Sequence, residues 1–256
     1  MNLLQTTPKD QGLETLIIIP TYNEKENLED LLKKIFALPI NLKVLIVDDN
    51  SPDGTGDLAE KLARNERRIS VLHRDVKQGL GKAYLAGFRY AVEHFSSDYI
   101  VGMDADLSHD PQYIPKFLEE IETCDVVIGS RFYKGRISII NRPLSRLIFS
   151  CVAQAYVNFF TWLSLSDTTS GFKCFKRAVI EALLKSAVLS DGYAFQIEVN
   201  YICKKLGFVV REIPVVFFDR CRGYSKIPAF HTVLEAILIV WKLKFRTFTR
   251  RSDTTA

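Results

Sequence analysis

Short apolar runs alternate with amphipathic stretches over the first half of the chain, and this alternation limits the possible folds. Between the runs, apolar residues recur at helical spacing, for example at Leu28, Leu31, Leu32 and Ile35. Such alternation predicts an α/β protein with a mostly parallel, doubly wound sheet and right-handed crossovers. The predicted strands are 16–20, 43–47, 69–73, 99–103 and 125–129, and the predicted helices lie at 27–38, 55–65, after Lys82 through His94, and 111–122.

The pattern changes after Arg131. Residues 147–166 carry no charge and predict a long helix, which either lies at a membrane interface or packs in the core. A turn is predicted at 169–172, helices at 176–188 and 194–206, and an edge strand within 208–218. Apolar and basic residues from Phe230 to Phe248 predict an amphipathic helix, either interfacial or simply packed. We expect one domain over 1–229 and a basic amphipathic helix and tail over 230–256.

Charge and composition narrow the class of protein. With 47% hydrophobic and 25% charged residues in 256, the chain has an ordinary globular composition. Its net charge is +4, and basic residues concentrate in the last third, which suggests a phosphate-bearing substrate or an anionic membrane surface rather than nucleic acid. The five cysteines show no Cys-x-x-Cys spacing, as in a reduced compartment. We expect no signal peptide and no membrane-spanning helix.

Two glycine-containing segments resemble nucleotide-binding motifs but do not meet the requirements of those motifs. Gly79-Leu-Gly81-Lys82 lacks the earlier glycine and the following hydroxyl residue of a P-loop. Gly54-Thr-Gly56 follows its strand too late for a dinucleotide-binding turn, and carboxylates fill the strand end where bare amides would be needed. Neither a P-loop enzyme nor a dehydrogenase is therefore expected.

Polar, mostly acidic residues follow three of the predicted strands. They are Thr21-Tyr22-Asn23-Glu24, Asp48-Asp49 and Asp104-Ala105-Asp106. One Asp-x-Asp alone is more often a solvated turn. In a doubly wound sheet, however, all three strand ends meet at one edge, where ligands bind. Carboxylates there can hold a divalent cation, and a tyrosine can stack on a base, so the three together predict a metal–nucleotide site.

Several longer motifs make the resemblance to a known family specific. The chain resembles family-2 glycosyltransferases of the GT-A (Rossmann-like) fold, and within them the polyprenyl-phosphate (dolichyl-phosphate) mannose synthases. The resemblance extends from about Leu16 to Lys226. Its motifs are Pro20-Thr-Tyr-Asn-Glu24, Val47-Asp-Asp-Asn-Ser-Pro-Asp-Gly-Thr55, Asp104-Ala-Asp106, Gly129-Ser-Arg131, Arg146-Leu-Ile-Phe-Ser150, Ser170-Gly-Phe172, Asp191-Gly-Tyr-Ala-Phe-Gln196 and Asp219-Arg220-Cys-Arg-Gly-Tyr-Ser-Lys226.

The resemblance implies roles for individual residues at the acidic edge. Pro20, Tyr22, Glu24, Val47 and Asp49 would line the nucleotide pocket, and Asp104 and Ala105 would contact the nucleoside–diphosphate part of the donor. Asp106 would bind Mg²⁺ or Mn²⁺. The family usually adds a glutamine two residues later, where this chain has Ser108; Ser108, a water or His109 would complete the metal shell.

The resemblance also implies a set of phosphate-binding residues. Arg131, Arg146, Ser150, Arg220 and Lys226 match residues that hold donor and acceptor phosphates. Arg142 stands where many bacterial members have tryptophan, and it would add another phosphate contact. Asp106, Arg131, Arg220 and Lys226 would carry the catalysis.

The implied reaction transfers mannose from GDP-mannose to a polyprenyl or dolichyl phosphate, with inversion at the sugar carbon. The implied partners are these two substrates and a membrane surface, with the protein peripheral on the cytoplasmic side, and membrane-anchoring subunits are an open possibility. One alternative is a polyprenyl-phosphate glucose or aminosugar synthase of the same fold. Another, from a different class, is a non-catalytic membrane-associated scaffold.

Overall fold

One central sheet organises the protein. The computed structural model describes residues 13–192, 194–218 and 229–245. The strands are β1 (Thr15–Thr21), β2 (Leu42–Asp48), β3 (Ile69–His73), β4 (Tyr99–Gly102), β5 (Val126–Ser130), β6 (Ile139–Ile140), β7 (Lys173–Lys176), β8 (Val210–Pro214) and β9 (Phe217–Phe218). Seven of them form one sheet in the order β3-β2-β1-β4-β7-β5-β8, and β6 pairs with β9. In the seven-stranded sheet every pairing is parallel except the two that β7 makes.

Helices cover both faces of this sheet. They are α1 (Lys25–Phe36), α2 (Thr55–Asn65), α3 (Leu80–His94), α4 (Ile114–Ile121), α5 (Leu144–Thr161), α6 (Arg177–Lys185), α7 (Ala194–Lys205) and α8 (Ala229–Lys244), with short 3₁₀ turns at Pro111–Tyr113 and Tyr133–Gly135. The described helices do not include one that combines the length and apolar character of a bilayer span.

Strand alternation divides the core into two layers. Leu16 and Ile18 of β1 point into a cluster with α3, α5, α6, α7 and α8, whereas Ile17 and Ile19 point into a second cluster with α1, α2 and α4. Successive side chains of a strand face opposite sides, so a strand covered on both faces must be apolar throughout. Complete burial of each such leucine or isoleucine contributes about 1.5–3 kcal/mol. This explains why the first strands are uninterrupted apolar runs.

The five strands predicted in the first 130 residues are confirmed to within about a residue at each end, and so is the α/β class. The arrangement of these strands differs from a continuous parallel sheet in one respect. β5 runs in the predicted direction, but β7 lies between it and β4, antiparallel to both. β7 is only four residues long and has a lysine at each end, so it lacks the uninterrupted apolar run that identified the other strands.

The second half of the chain broadly follows the predicted elements. α5 begins three residues before the predicted helix and ends at Thr161, whereas α6 and α7 match closely. The predicted edge strand is β8, at the margin of the sheet. α8 packs on its neighbours, since the Tyr201 hydroxyl donates to the Leu243 carbonyl at 3.1 Å and the Trp241 ring lies 5.6 Å from that of Phe160. The domain boundary near residue 229 stays a prediction.

Candidate active site

The three acidic strand ends lie side by side at the carboxyl edge of the sheet. β1 is hydrogen-bonded to β2 on one side and to β4 on the other, and Thr21 is paired in register with Asp48. The segments that follow these strands therefore start from one edge, as the alternation predicted. This edge brings together the residues predicted for the nucleotide, namely Pro20, Tyr22, Glu24, Val47, Asp49, Asp104 and Ala105.

Asp48 is a structural residue, although the sequence presents it as one of a pair of exposed acids. Its Oδ1 accepts hydrogen bonds from the hydroxyls of Thr21 (2.9 Å) and Ser51 (2.6 Å), and its Oδ2 accepts from the Ser51 amide (3.0 Å). These bonds fix the turn that follows β2. Asp48 is therefore engaged within its own loop and does not serve as a ligand-binding acid.

Asp49 forms a buried ion pair with Arg74. The Arg74 Nη1 donates to Asp49 Oδ1, and its Nη2 donates to Gln78 Oε1 at 2.9 Å. Burial raises the pKa of Asp49, and the positive charge of Arg74 opposes that shift. Nearby, the Lys77 ammonium lies 3.9 Å from the centre of the Tyr22 ring, a cation–π distance. From the sequence, His73-Arg74 is interpreted mainly as part of the strand end, with contact to the donor as the alternative, and Lys77 was not among the predicted residues.

Hydrogen bonds join the loop after β1 to the loop after β2. The Asn23 amide donates to Ser51 Oγ (3.1 Å), the Glu24 amide to Thr55 Oγ1 (3.0 Å) and the Lys25 amide to Asp53 Oδ2 (3.2 Å). Short polar side chains at the end of β2 thus satisfy the backbone donors at the start of α1, which a helix cannot satisfy itself. The segment that follows β1 and the segment that follows β2 are therefore linked by three hydrogen bonds.

The Asp104–His109 loop is shaped by its own side chains. Leu107 has φ +63°, a left-handed conformation that leucine rarely adopts, and this turn lets the Ser108 amide donate to Asp106 Oδ1 at 3.1 Å. The Asp104 amide donates to His109 Nδ1 at 3.0 Å, and the His109 ring stacks on Phe172 at 4.9 Å. Burial lowers the pKa of His109, so its imidazole is neutral and its 3.9 Å approach to Asp104 is not an ion pair.

The donor set of this loop suits a hard divalent cation. The described residues hold no cluster of three His, Cys, Asp or Glu side chains arranged as metal ligands. Mg²⁺, however, is usually held by one or two carboxylates together with water and substrate phosphates. Ser108 is 1% exposed, and its hydroxyl has no hydrogen-bond partner within the described part of the chain, which leaves an oxygen ligand two residues from Asp106. Asp106 and Ser108 therefore fit the predicted ion, whereas His109 Nδ1 is already engaged.

Arg131 forms a buried bidentate ion pair that the sequence predictions did not include. Its Nε and Nη2 donate to the two carboxylate oxygens of Asp167 at 2.6 and 2.8 Å, and Nη2 also donates to Thr169 Oγ1 at 2.7 Å. Asp167 is fully buried and accepts a further bond from Gln154 of α5. Burial would raise the pKa of Asp167, but the charge and hydrogen bonds of Arg131 outweigh burial and lower it to about 2. Arg131 is thus fixed in orientation.

Of the other residues predicted to bind phosphate, two lie within the described part of the chain and two lie outside it. Arg146 and Ser150 lie on α5, where the Ser150 hydroxyl donates to the Arg146 carbonyl at 2.9 Å and accepts from Arg142 Nη1 at 3.3 Å. Arg142 therefore reaches the residue predicted to bind phosphate. Arg220 and Lys226 lie outside the described residues. Their roles stay predictions.

Comparison with known proteins gives both family and fold. The model of Glycosyl transferase family 2 matches residues 16–184. An undecaprenyl-phosphate mannosyltransferase of Micrococcus luteus is 40% identical over 84% of this chain and 88% of its own length. A polyprenol monophosphomannose synthase of Mycolicibacterium smegmatis is 41% identical over 83% of this chain and 80% of its own.

Two solved structures share the fold at low sequence identity. Mannosyl-3-phosphoglycerate synthase from Rubrobacter xylanophilus superposes with a TM-score of 0.67 at 17% identity, covering 95% of this chain and 79% of its own. Glucosyl-3-phosphoglycerate synthase from Mycobacterium tuberculosis, in complex with Mn²⁺, UDP and phosphoglyceric acid, gives a TM-score of 0.66 at 16% identity over 93% and 81%. With the family match over residues 16–184 and two relatives near 40% identity, this chain belongs to glycosyltransferase family 2 and its resemblance to the polyprenyl-phosphate mannose synthases is confirmed.

Proposed function

We propose that the protein transfers mannose from GDP-mannose to a polyprenyl phosphate, giving polyprenyl-phosphate mannose and GDP. The two relatives near 40% identity support the acceptor and the sugar, because their names state polyprenyl-phosphate mannosyl transfer. The observation that carries the proposal is the meeting of three acidic strand ends at one sheet edge, with a carboxylate pair at Asp104 and Asp106. A donor nucleotide and its cation need such an edge.

Because of the chemistry of the acceptor, the reaction requires no dedicated base. A phosphate monoester has a second pKa of about 6, so near neutrality it is already a dianion. An oxygen of this phosphate attacks the anomeric carbon of mannose. The bond from that carbon to the β-phosphate oxygen of GDP breaks, and GDP leaves with the electron pair. A single displacement of this kind inverts the anomeric configuration.

The chain's own residues position the two substrates. Asp106 and Ser108 would hold Mg²⁺ or Mn²⁺, which supplies a Lewis acid that neutralises the leaving diphosphate. Arg131, fixed by Asp167, would hold a phosphate together with Arg220 and Lys226, and Arg146 and Ser150 would hold the acceptor phosphate. Asp104 and Ala105 would contact the donor beside the nucleotide pocket of Pro20, Tyr22, Glu24, Val47 and Asp49. Positioning and fixed charge are sufficient for a reaction with an ionised nucleophile.

A panel of labelled donors tests this function. With undecaprenyl phosphate and Mg²⁺ or Mn²⁺, we expect GDP-mannose to label the lipid at least about 100-fold faster than UDP-glucose or UDP-N-acetylglucosamine, because a site built to hydrogen-bond one sugar and base rejects others strongly. Undecaprenol without its phosphate is the matched control and should give no product. Faster transfer from UDP-glucose or UDP-N-acetylglucosamine would favour the glucose or aminosugar synthase, and no transfer from any donor would favour the scaffold.

An exposed apolar stripe on α5 supports a membrane surface as the place of reaction. Leu144, Ile148, Val152 and Phe159 are 56–74% exposed. They fall within an arc of about 80° on the helix, since each residue advances about 100°. Trp162, at the helix end, is 86% exposed, and the basic Arg142 and Arg146 stand at the other end. Apolar residues with flanking cations are typical of a helix that lies in the interface of an anionic bilayer.

Adding charge to this stripe should release the protein from membranes. We expect Val152→Asp with Phe159→Asp to weaken binding to phosphatidylglycerol-containing vesicles at least about 10-fold, because burial of each apolar side chain contributes about 1.5–3 kcal/mol. Vesicle flotation measures the binding. Val209→Asp, which also adds an acid to an exposed apolar position but lies before β8, is the control and should bind normally. Unchanged binding of the double variant would contradict the interfacial role of α5.

A further inference from the structure

The Phe217 ring contacts two arginines that the resemblance assigns to phosphate binding. The guanidinium carbon of Arg131 lies 5.2 Å from the centre of the ring, and that of Arg142 lies 5.7 Å from it. Both distances are within the limit of about 6 Å at which the face of an aromatic ring attracts a cation. One ring therefore contacts a cation that follows β5 and a cation that precedes α5.

Hydrogen bonds fix the backbone that carries this ring. The Phe217 amide donates to the Ser138 carbonyl at 2.9 Å, and the Ser138 amide donates to the Arg131 carbonyl at 2.9 Å. The amide of Phe218 donates to the Ser108 carbonyl at 3.4 Å. The place of the ring is thus set both by the segment after β5 and by the loop after β4.

The two arginines are held to different degrees. Arg131 is fixed by its two bonds to the Asp167 carboxylate, at 2.6 and 2.8 Å. Arg142 is half-buried, and its bond to Ser150 Oγ is 3.3 Å long, compared with a usual value of about 2.9–3.0 Å. We therefore expect the contact with Phe217 to matter more for Arg142 than for Arg131.

A cation beside Arg131 would strengthen a phosphate site. Asp167 already balances the charge of Arg131, so a phosphate bound there gains from a further cation. A phosphate monoester is close to a dianion near neutrality, and guanidinium groups form strong hydrogen bonds with it. Because Arg142 lies against the same ring as Arg131, it is placed to supply that charge.

We propose that Phe217 is a positioning residue, whose ring holds the Arg142 guanidinium beside Arg131 so that both bind the phosphate of the polyprenyl acceptor. The proposal rests on the proposed function for the identity of that acceptor. It adds a residue that lies outside every motif on which the resemblance is based. Phe217 acts through the arginine and does not itself touch the phosphate, and this restriction makes the proposal testable.

Substitutions at Phe217 test whether the aromatic face is needed. Phe217→Leu keeps an apolar side chain and removes the ring. We expect it to raise KM for undecaprenyl phosphate about 3- to 30-fold, the range of one cation–π contact, and to leave the dissociation constant of GDP within about twofold of wild type. Phe217→Tyr keeps an aromatic face and should stay close to wild type.

Phe218→Leu is the matched control. Phe218 is the next residue of β9, its ring is 39% exposed, and no cation lies over it in the part of the chain that the structure describes. KM for undecaprenyl phosphate should stay within about twofold of wild type in this variant, as for most exposed substitutions. An unchanged KM in Phe217→Leu, or an equal rise in Phe218→Leu, would overturn the proposal.

A double-mutant cycle shows whether Phe217 acts through Arg142. Arg142→Met should raise KM for undecaprenyl phosphate at least as far as Phe217→Leu does. Adding Phe217→Leu to Arg142→Met should then change KM by less than about twofold, because the ring no longer has this guanidinium to hold. Losses that add in full would show that the ring acts elsewhere, and they would overturn the positioning role.

A series of fluorinated phenylalanines at position 217 tests the electrostatic part of the contact. Fluorine withdraws electron density from the face of the ring with little change of shape, so the attraction for a cation weakens step by step. KM for undecaprenyl phosphate should rise with each added fluorine. A KM that does not respond to fluorination would mean that the ring only fills space, against the proposal.

Binding of farnesyl phosphate separates this proposal from the function on which it rests. Isothermal titration calorimetry measures the affinity of the wild type and of Phe217→Leu without any transfer, and farnesol is the control that lacks the phosphate. Weaker binding of farnesyl phosphate by Phe217→Leu supports the positioning role, even if the wild type transfers no mannose and the proposed function fails. Equal binding by the two proteins, or binding by neither, would overturn the positioning role, while mannose transfer by the wild type would still support the function.

Discussion

Replacing Asp106 by alanine is expected to lower mannose transfer about 100- to 1000-fold, the largest change in activity that the site predicts. The carboxylate lies in a loop held by the Ser108 amide and by the left-handed turn at Leu107, and alanine would remove the carboxylate that we propose as the main metal ligand. Loss of a fixed charge that stabilises a leaving group costs about 3–4 kcal/mol or more. Initial rates over a Mg²⁺ and Mn²⁺ titration measure the effect.

A second acid in the same loop provides the control. Asp110 accepts a hydrogen bond from the Gln112 amide at 3.0 Å and begins the turn before α4, so Asp110→Ala should leave the rate within about threefold. Electron paramagnetic resonance of Mn²⁺ gives a readout other than activity, and the Asp106 variant should bind Mn²⁺ more weakly in the presence of GDP. Full activity in Asp106→Ala would refute the metal assignment.

The nucleotide edge could be predicted from sequence because its signals are local. An apolar run that stops at acids locates a strand end, and parallel strands carry their carboxyl ends to one edge. The same rule could not separate the two acids after β2. Asp48 is satisfied by Thr21 and Ser51, and Thr21 is 27 residues away in the chain. Whether a carboxylate faces a ligand or its own loop depends on such distant partners.

The hydrophobic pattern of the sequence did not predict β7, which lies in the middle of the sheet. β7 carries lysines at both ends, and one of them, Lys173, is fully buried. Sequence rules treat lysine as a surface residue because burial of its charge is costly. Here the side-chain oxygen and the backbone carbonyl of Gln196 both accept hydrogen bonds from the Lys173 ammonium, and these bonds offset part of that cost.

The ion pair between Arg131 and Asp167 could not be predicted from the sequence either. The resemblance predicted that Arg131, which follows β5, holds a phosphate. Its partner Asp167 lies 36 residues later in the chain, shortly before the Ser170-Gly-Phe172 motif. The acid in that stretch was the only signal in the sequence, and nothing there indicated which cation it contacts. The structure therefore adds a stability role to a residue predicted for catalysis.

Replacing Asp167 by asparagine is expected to lower the free energy of unfolding by about 3–5 kcal/mol, the largest stability effect in this region. The variant removes the buried carboxylate that accepts two hydrogen bonds from the Arg131 guanidinium, and breaking a buried pair from one side costs about this much. Urea denaturation followed by circular dichroism measures the change. Asp30→Asn, which breaks the exposed Lys33–Asp30 pair, is the control and should cost less than about 0.5 kcal/mol.

The pH dependence and a double replacement separate this stability role from catalysis. The pKa of Asp167 is about 2, below its ordinary value of 3.8, so the pair stabilises the wild type above about pH 4 and is lost as pH falls towards 2. Asp167→Asn should lack this acid-dependent loss. Replacing both partners, as Arg131→Met with Asp167→Leu, removes both charges of the pair and should recover most of the stability, because an apolar pair can replace a buried ion pair. Transfer by the double variant should nevertheless fall well below that of the wild type, because the guanidinium that would hold a phosphate is gone. If the double variant kept wild-type activity together with stability, Arg131 would serve only the fold.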